Sequence, residues 1–298
     1  MKVTVEKQPK SQVKIDVVVE KAKVREAYDQ ALDERVKTTT IDGFREGKAP
    51  REQVEKKVGT AQLQGDAVNK LLETYYPQAV KEKLINPISN PKVTIQEFDV
   101  EKDFEFSAIV AVKPEIKIKD YEKELETYFA EKKKQISQVN AEKLKKGEKI
   151  ESDQVRLHPS EVIEAVLKAS ECEVPQLLAE EEANRMLARL INQAQAVGMS
   201  LEEYLQTQNK TADELREEYE TSAAKNIKAE LVLSELVIKE KVVASDKEIE
   251  DAVRASGAEN VEEQLNNPVQ KVYIKSVLEK NKLIQQIIEK MEGAKDEK

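Results

Sequence analysis

Strict alternation of apolar side chains in separated stretches constrains this chain more than any other feature. Between residues 2 and 20, Val13, Ile15, Val17 and Val19 face one way and Lys14, Asp16 and Val18 the other, with Pro9-Lys10-Ser11 placed to turn a hairpin. Phe104, Phe106, Ala108, Val110 and Val112 keep the same period of two until Pro114, and 92–98 alternates as well. Side chains two apart share a strand face, so these stretches predict half-buried strands. The segment between them changes period. Val24, Ala27, Tyr28, Ala31, Leu32 and Val36 recur at helical spacing. A short helix is expected from Pro50 to Val58, closed by Gly59, with Pro50 in its first turn. Thr60 opens another, bearing Leu63, Ala67, Val68, Leu71, Leu72 and Tyr75, which Pro77 is expected to kink or divide. Strands, then helices, then strands describe a small α+β domain whose helices cover one sheet face.

From Pro159 onward the chain reads as helix throughout. Ser200 with Glu203, Thr211 with Glu214, and Ser245 with Glu248 have capping-box spacing, and each pair marks a helix start. Further helices are expected near 160–171, 175–197 and 269–291, with Gly198 and Gly257 as stops. Their apolar stripes include Leu178, Met186, Leu190 and Ala194, and Val272, Val277, Leu278, Ile284, Ile287 and Ile288.

Composition narrows the function. Charged residues make up 36% of the 298 and aromatics 4%, with no tryptophan, which favours long helices with wide solvated faces over an aromatic-rich enzyme core. A net charge of −9 repels phosphate backbones, so contact with RNA has to be local. One cysteine, Cys172, excludes an intramolecular disulfide and cysteine-rich zinc sites. Its carboxylate neighbours Glu171 and Glu173 disfavour a thiolate nucleophile. The single histidine, His158, is followed by Pro159 and reads as a helix entry, not as part of a triad or metal site. Glu180, Glu181 and Glu182 read as a solvated face. No catalytic, metal or cofactor site emerges. The N-terminus carries no apolar leader and no stretch approaches membrane-spanning length, so a soluble, cytoplasmic protein is expected.

The segment Ile41-Asp42-Gly43-Phe44-Arg45-Glu46-Gly47-Lys48-Ala49-Pro50 carries the functional signal. Two glycines within five residues permit positive φ, which pushes Phe44 and Arg45 outward at the tip of a tight loop. A phosphate loop is excluded: Gly43 lies too close to Gly47-Lys48, and Ala49 stands where a magnesium-binding Ser or Thr belongs. Gly43-Phe44-Arg45-x-Gly47-Lys48-x-Pro50 resembles the ribosome-docking signature of the trigger factor family, bacterial chaperones that meet nascent chains at the tunnel exit. The departure is Glu46, an acid where the family is usually basic. Phe104-Glu105-Phe106 running to Ile116 resembles the last strand of that family's N-terminal domain. Val174-Pro175-Gln176-Leu177-Leu178, leading into Glu180-Glu181-Glu182 and Arg185-Met186-Leu187, resembles the opening of its C-terminal domain.

The resemblance implies an α+β docking domain over 1–117 and a mainly α-helical C-terminal domain with extended arms over 159–298, joined by a charged connector, 118–158. It assigns Gly43, Phe44, Arg45, Gly47, Lys48 and Pro50 to ribosome binding near the exit tunnel. Unfolded or nascent chains are the clients of the apolar helical stripes, and a homodimer stays open as a further partnership. Members usually insert a prolyl-isomerase domain between the two parts. Here the intervening segment is charged and offers only Tyr121, Tyr128 and Phe129 for an aromatic wall, whereas a compact β-domain needs at least about 50 residues and its own core. The expectation is an ATP-independent chaperone without the isomerase domain. The alternative is an assembly factor that binds folded partners through the helical surface and never visits the ribosome.

Overall fold

In the computed structural model, which describes residues 1–45, 47–146, 156–257 and 260–293, the alternating stretches are strands. β1 (Lys2–Gln8) and β2 (Gln12–Val19) form a hairpin in which Lys10 and Ser11 both turn left-handed (φ 57° and 52°), the handedness that suits strand twist. α1 (Lys21–Thr38), α2 (Arg51–Val58) and α3 (Thr60–Glu82) follow, then β3 (Lys92–Ile95) and β4 (Phe104–Ala111). The four strands pair antiparallel in the order β1-β2-β4-β3.

Register explains the core. Val13, Ile15, Val17 and Val19 lie opposite Val110, Ala108, Phe106 and Phe104, and all eight are buried. Val24 and Ala27 of α1 and Val68, Leu71 and Ala79 of α3 close over this face in one cluster. The other face is polar between the same strands: Lys14 pairs with Asp16 at 2.9 Å, and Asp16 accepts from the Ser107 hydroxyl at 2.5 Å. Pro77 does not divide α3, which continues unbroken through it. A proline inside a helix costs about 3 kcal/mol, but here Leu71 before it and Ala79 after it are both sealed in the same core, so packing keeps the two halves in one helix. β3 also stops at Ile95, short of the expected 98.

The chain divides into two compact units, Met1–Pro114 with Pro175–Glu181, and Glu115–Val174 with Glu182–Lys298. The second contains β5 (Ile116–Ile118), α4 (Tyr121–Lys146), α5 (Pro159–Lys168), β6 (Ser170–Cys172), α7 (Leu201–Gln208), α8 (Ala212–Lys239), α9 (Asp246–Ala255), α10 (Val261–Asn266) and α11 (Pro268–Gly293), while α6 (Gln176–Ala196) begins in the first unit and continues in the second from Glu182. Its core joins Tyr121, Leu125 and Phe129 of α4 to Val162 and Val166 of α5, Val232 and Leu236 of α8, and Leu283, Ile284 and Ile287 of α11.

Two sequence expectations change here. Segment 118–158, of which residues 147–155 lie outside the described residues, is expected to be a charged connector, a solvated linker or exposed helix. Instead its Tyr121, Leu125 and Phe129, four residues apart, put one stripe of α4 into the core, and only the remaining faces are solvated. The region after Pro159 is not helical throughout. Ser170–Cys172 pairs antiparallel with Ile116–Ile118, a strand too short to leave a periodic signal.

The three capping boxes form as their spacing predicts. Ser200, Thr211 and Ser245 accept from the backbone N–H groups of Glu203, Glu214 and Glu248, whose carboxylates accept in return from the cap N–H groups at 2.7, 2.8 and 2.7 Å. His158 is the N-cap of α5, and Gly198 and Gly257 take positive φ after α6 and α9. The carboxylate of Glu161, in the first turn of α5, accepts from the His158 N–H (2.8 Å), the Tyr128 hydroxyl (2.8 Å) and the Lys132 ammonium (2.7 Å). Burial alone pushes its pKa up, but these donors outweigh burial and carry it down to about 2.

Candidate functional site

The loop between α1 and α2 stands on a small core of its own. Leu32 of α1, Ala49 of the loop, Val54 of α2 and Leu63 of α3 are buried together, with Tyr28, Val36, Ile41 and Val58 packed around them. Ile41 and Ala49 are therefore the two feet of the loop. Polar contacts brace the same base. The Tyr28 hydroxyl donates to Glu55 at 2.8 Å, and the Lys57 ammonium donates to the Thr40 carbonyl at 2.6 Å. Arg35 grips Asp66 through two parallel bonds of 2.6 and 2.9 Å, tying α1 to α3, and Arg51 binds Asp33. The bond from Arg35 is the largest influence holding the Asp66 carboxyl below its usual range. Burial first, then the bond to Glu55, pushes the Tyr28 hydroxyl up to about 12, so it stays a donor.

Above these feet the glycines behave as expected, with φ of 86° at Gly43 and 78° at Gly47. The Phe44 N–H donates to the Ile41 carbonyl (3.1 Å) and the Lys48 N–H to the Arg45 carbonyl (3.0 Å), giving two successive tight turns. Gly47 lies close to the end of α1: a Cβ there would stand 3.9 Å from the backbone of Lys37. The result is an outward tip. Phe44 is 38% exposed, Arg45 and Lys48 are exposed, and neither cation pairs with an acid among the described residues. An inward-packed Phe44, the ordinary alternative for such a connection, does not occur. Pro50 is the N-cap of α2 and not part of its first turn. Its extended backbone (φ −60°, ψ 140°) leaves its carbonyl to accept from Gln53 and Val54. Glu46, the charge-reversed position, lies outside the described residues.

The apolar stripes of the helical unit divide between core and surface. On α11, Ile284 and Ile287 are buried and Ile288 half-buried, whereas Val272 and Val277 are exposed. Val269 and Tyr273, missed in the sequence reading, extend that exposed stripe at 78% and 70% exposure. The signal was present as helical spacing 269-272-273-277, but sequence alone does not tell which half of a long amphipathic helix finds a partner. Leu178, Met186 and Leu190 of α6 are half-buried and Ala194 is buried.

Burial, with Lys228 opposing it, raises the Cys172 thiol, so the cause differs from the carboxylate neighbours the sequence suggested. Glu180 pairs with Lys92 (3.6 Å) and Glu182 with Arg185 (2.7 Å) and Arg189 (3.4 Å). All three glutamates at 180–182 are half-buried, not the open face expected. Among the described residues no group of three or more His, Cys, Asp or Glu side chains is arranged to hold a metal, and no helix is long and apolar enough to cross a membrane.

Comparison with known proteins agrees with this architecture. A family model described as bacterial trigger factor protein matches residues 1–151, and the model of the trigger factor C-terminus matches 134–289. Trigger factors of Desulforamulus reducens and Staphylococcus epidermidis are each 40% identical over 121 residues, and that of Staphylococcus carnosus is 39% identical over the same length. Each alignment covers 41% of this chain but spans only 28% of the relative. A solved trigger factor chaperone, studied for promiscuous substrate recognition in folding and assembly, superposes with a TM-score of 0.61 over 98% of this chain and 100% of its own, at 15% identity. With a glycine-bracketed loop on an antiparallel α+β unit, a helical second unit, and family models that between them reach from residue 1 to residue 289, this chain belongs to the bacterial trigger factor family.

Proposed function

We propose that the chain is a chaperone that docks on the ribosome near the exit tunnel through residues 43–50 and shields apolar segments of nascent or unfolded chains without ATP. The observation that carries this reading is the presentation of Phe44, Arg45 and Lys48. An apolar anchor and two cations that form no ion pair among the described residues stand on a braced loop, as a surface of protein and RNA phosphate would require. Gly43, Gly47 and Pro50 shape the loop and bear no contact chemistry of their own. Clients bind the exposed stripe Val269, Val272, Tyr273 and Val277 of α11. Each such side chain contributes about 1.5–3 kcal/mol when fully buried, so several partial contacts hold a segment reversibly with no nucleotide-driven release. The segment 115–146 contributes β5 and α4 to the helical unit, which supports a chaperone without prolyl-isomerase catalysis. A cytoplasmic site of action follows from the ribosome reading.

Cosedimentation with ribosomes tests the docking half. The parent should pellet and Phe44→Ala/Arg45→Ala/Lys48→Ala should stay in the supernatant; equal pelleting removes the assignment. Suppression of aggregation of several unrelated denatured proteins in nucleotide-free buffer tests the holding half, and recovery of one dominant stoichiometric folded partner instead would favour an assembly factor.

A further inference from the structure

Charges on α4 are segregated along its length. Glu122, Glu124, Glu126 and Glu131 all precede Lys132, whereas 132–146 carries six lysines against one acid, Glu142. Lys132 is spent on Glu161. Lys133, Lys134, Lys145 and Lys146 are exposed and form no ion pair among the described residues. The nearest members of the two pairs, Lys134 and Lys145, are eleven residues apart, three turns or roughly 16 Å along the axis, and fall on the same outward line. Ile136 packs toward the core, so the opposite side faces solvent.

We propose that this half-helix is an RNA-backbone contact, a second cationic anchor in addition to the docking loop. The choice of RNA rests on the side chains present. Lysines act as point charges on flexible stems and suit phosphates, whereas protein hot spots favour Trp, Tyr and Arg, and 132–146 contains none of these. With no aromatic to stack on a base, the contact is sequence-independent. Val139 and Leu144 are exposed but lie about 140° apart around the helix, so they form no apolar seam for a membrane or a partner helix. The overall charge of −9 does not forbid it, because at 0.1 M salt charges beyond about 10 Å are screened.

That the RNA is ribosomal rests on the docking proposal; the contact itself does not. An unstructured uridine oligomer, titrated against the full chain by fluorescence anisotropy across a salt series, tests it without ribosomes. Lys133→Gln/Lys134→Gln/Lys145→Gln/Lys146→Gln should bind more than tenfold more weakly at low salt, and the slope of log K against log salt should become shallower by about 3, as expected for four phosphate contacts. The quadruple Lys→Arg variant should retain both affinity and slope. Circular dichroism should show both variants folded, since all four side chains are exposed. Unchanged RNA affinity and slope in the Gln variant overturns the proposal, as does a polyglutamate peptide of equal charge that competes as well as the RNA. Loss of RNA binding in the Gln variant combined with undiminished ribosome pelleting of the loop variant would sink the docking reading and leave this one standing.

Discussion

The ammonium of Lys57, in the last turn of α2, donates to the carbonyl of Thr40 at 2.6 Å, so the stem of the loop is tied to the helix that follows it. Lys57→Met keeps the stem's length and removes the bond, at a cost of about 1 kcal/mol. Ribosome affinity is expected to fall several-fold while the melting temperature moves by no more than a few degrees. Lys57→Arg should restore binding. Equal affinity of the parent and the Met variant in pelleting assays would show that the tip needs no such brace.

Glu161 makes the helical unit sensitive to acid. Its folded pKa of about 2 lies below its ordinary value of 4.5, so the folded state favours the carboxylate. The resulting stability is complete above pH 4.5 and is lost as pH falls from there toward 2. Glu161→Gln should destabilise at pH 7 by about 2 kcal/mol, and the gap to the parent should narrow by pH 3, as read by urea denaturation.

Leu84 follows α3 with φ 53° and is 87% exposed, while the Ile85 N–H reaches back to the Val80 carbonyl at 3.0 Å. A left-handed residue at this point usually is glycine, because a side chain there costs about 1 kcal/mol. Leu84→Gly is therefore expected to raise the melting temperature of the N-terminal unit, and a fall would show that the leucine makes a stabilising contact.

Cys172 should react slowly. With burial raising its thiol pKa, alkylation by iodoacetamide at pH 7.5 is expected to be slower in the folded protein than in urea, and the difference should shrink as pH rises. Equal rates in both states at pH 7.5 would place the thiol in open water.

What the sequence made legible was local. Ser200 and Glu203, or Gly43 and Gly47, settle their own backbone within a few residues, and their spacing predicts the outcome. The β2–β4 face was readable for the same reason: alternation is written into each strand separately. What escaped depends on distant partners. The strand Ser170–Cys172 exists because Ile116–Ile118 lies beside it, more than fifty positions away. Tyr121, Leu125 and Phe129 had core spacing all along, but the surrounding lysines and glutamates masked it. At the loop, Phe44 and its flanking cations were visible. Lys57 was not, and Tyr28 showed only its apolar spacing, since neither an exposed lysine nor a tyrosine in a helical stripe carries a sign of the polar group it will brace.

α7 has no fully buried side chain, yet both its start and that of α8 are closed by reciprocal bonds between residues three apart. Eight residues are too few to stay wound in water unaided, so this helix keeps its turns through those closures and through the half-buried Leu201, Tyr204 and Leu205, and loosening either would let it fray without disturbing the cores on which the rest of the chain stands.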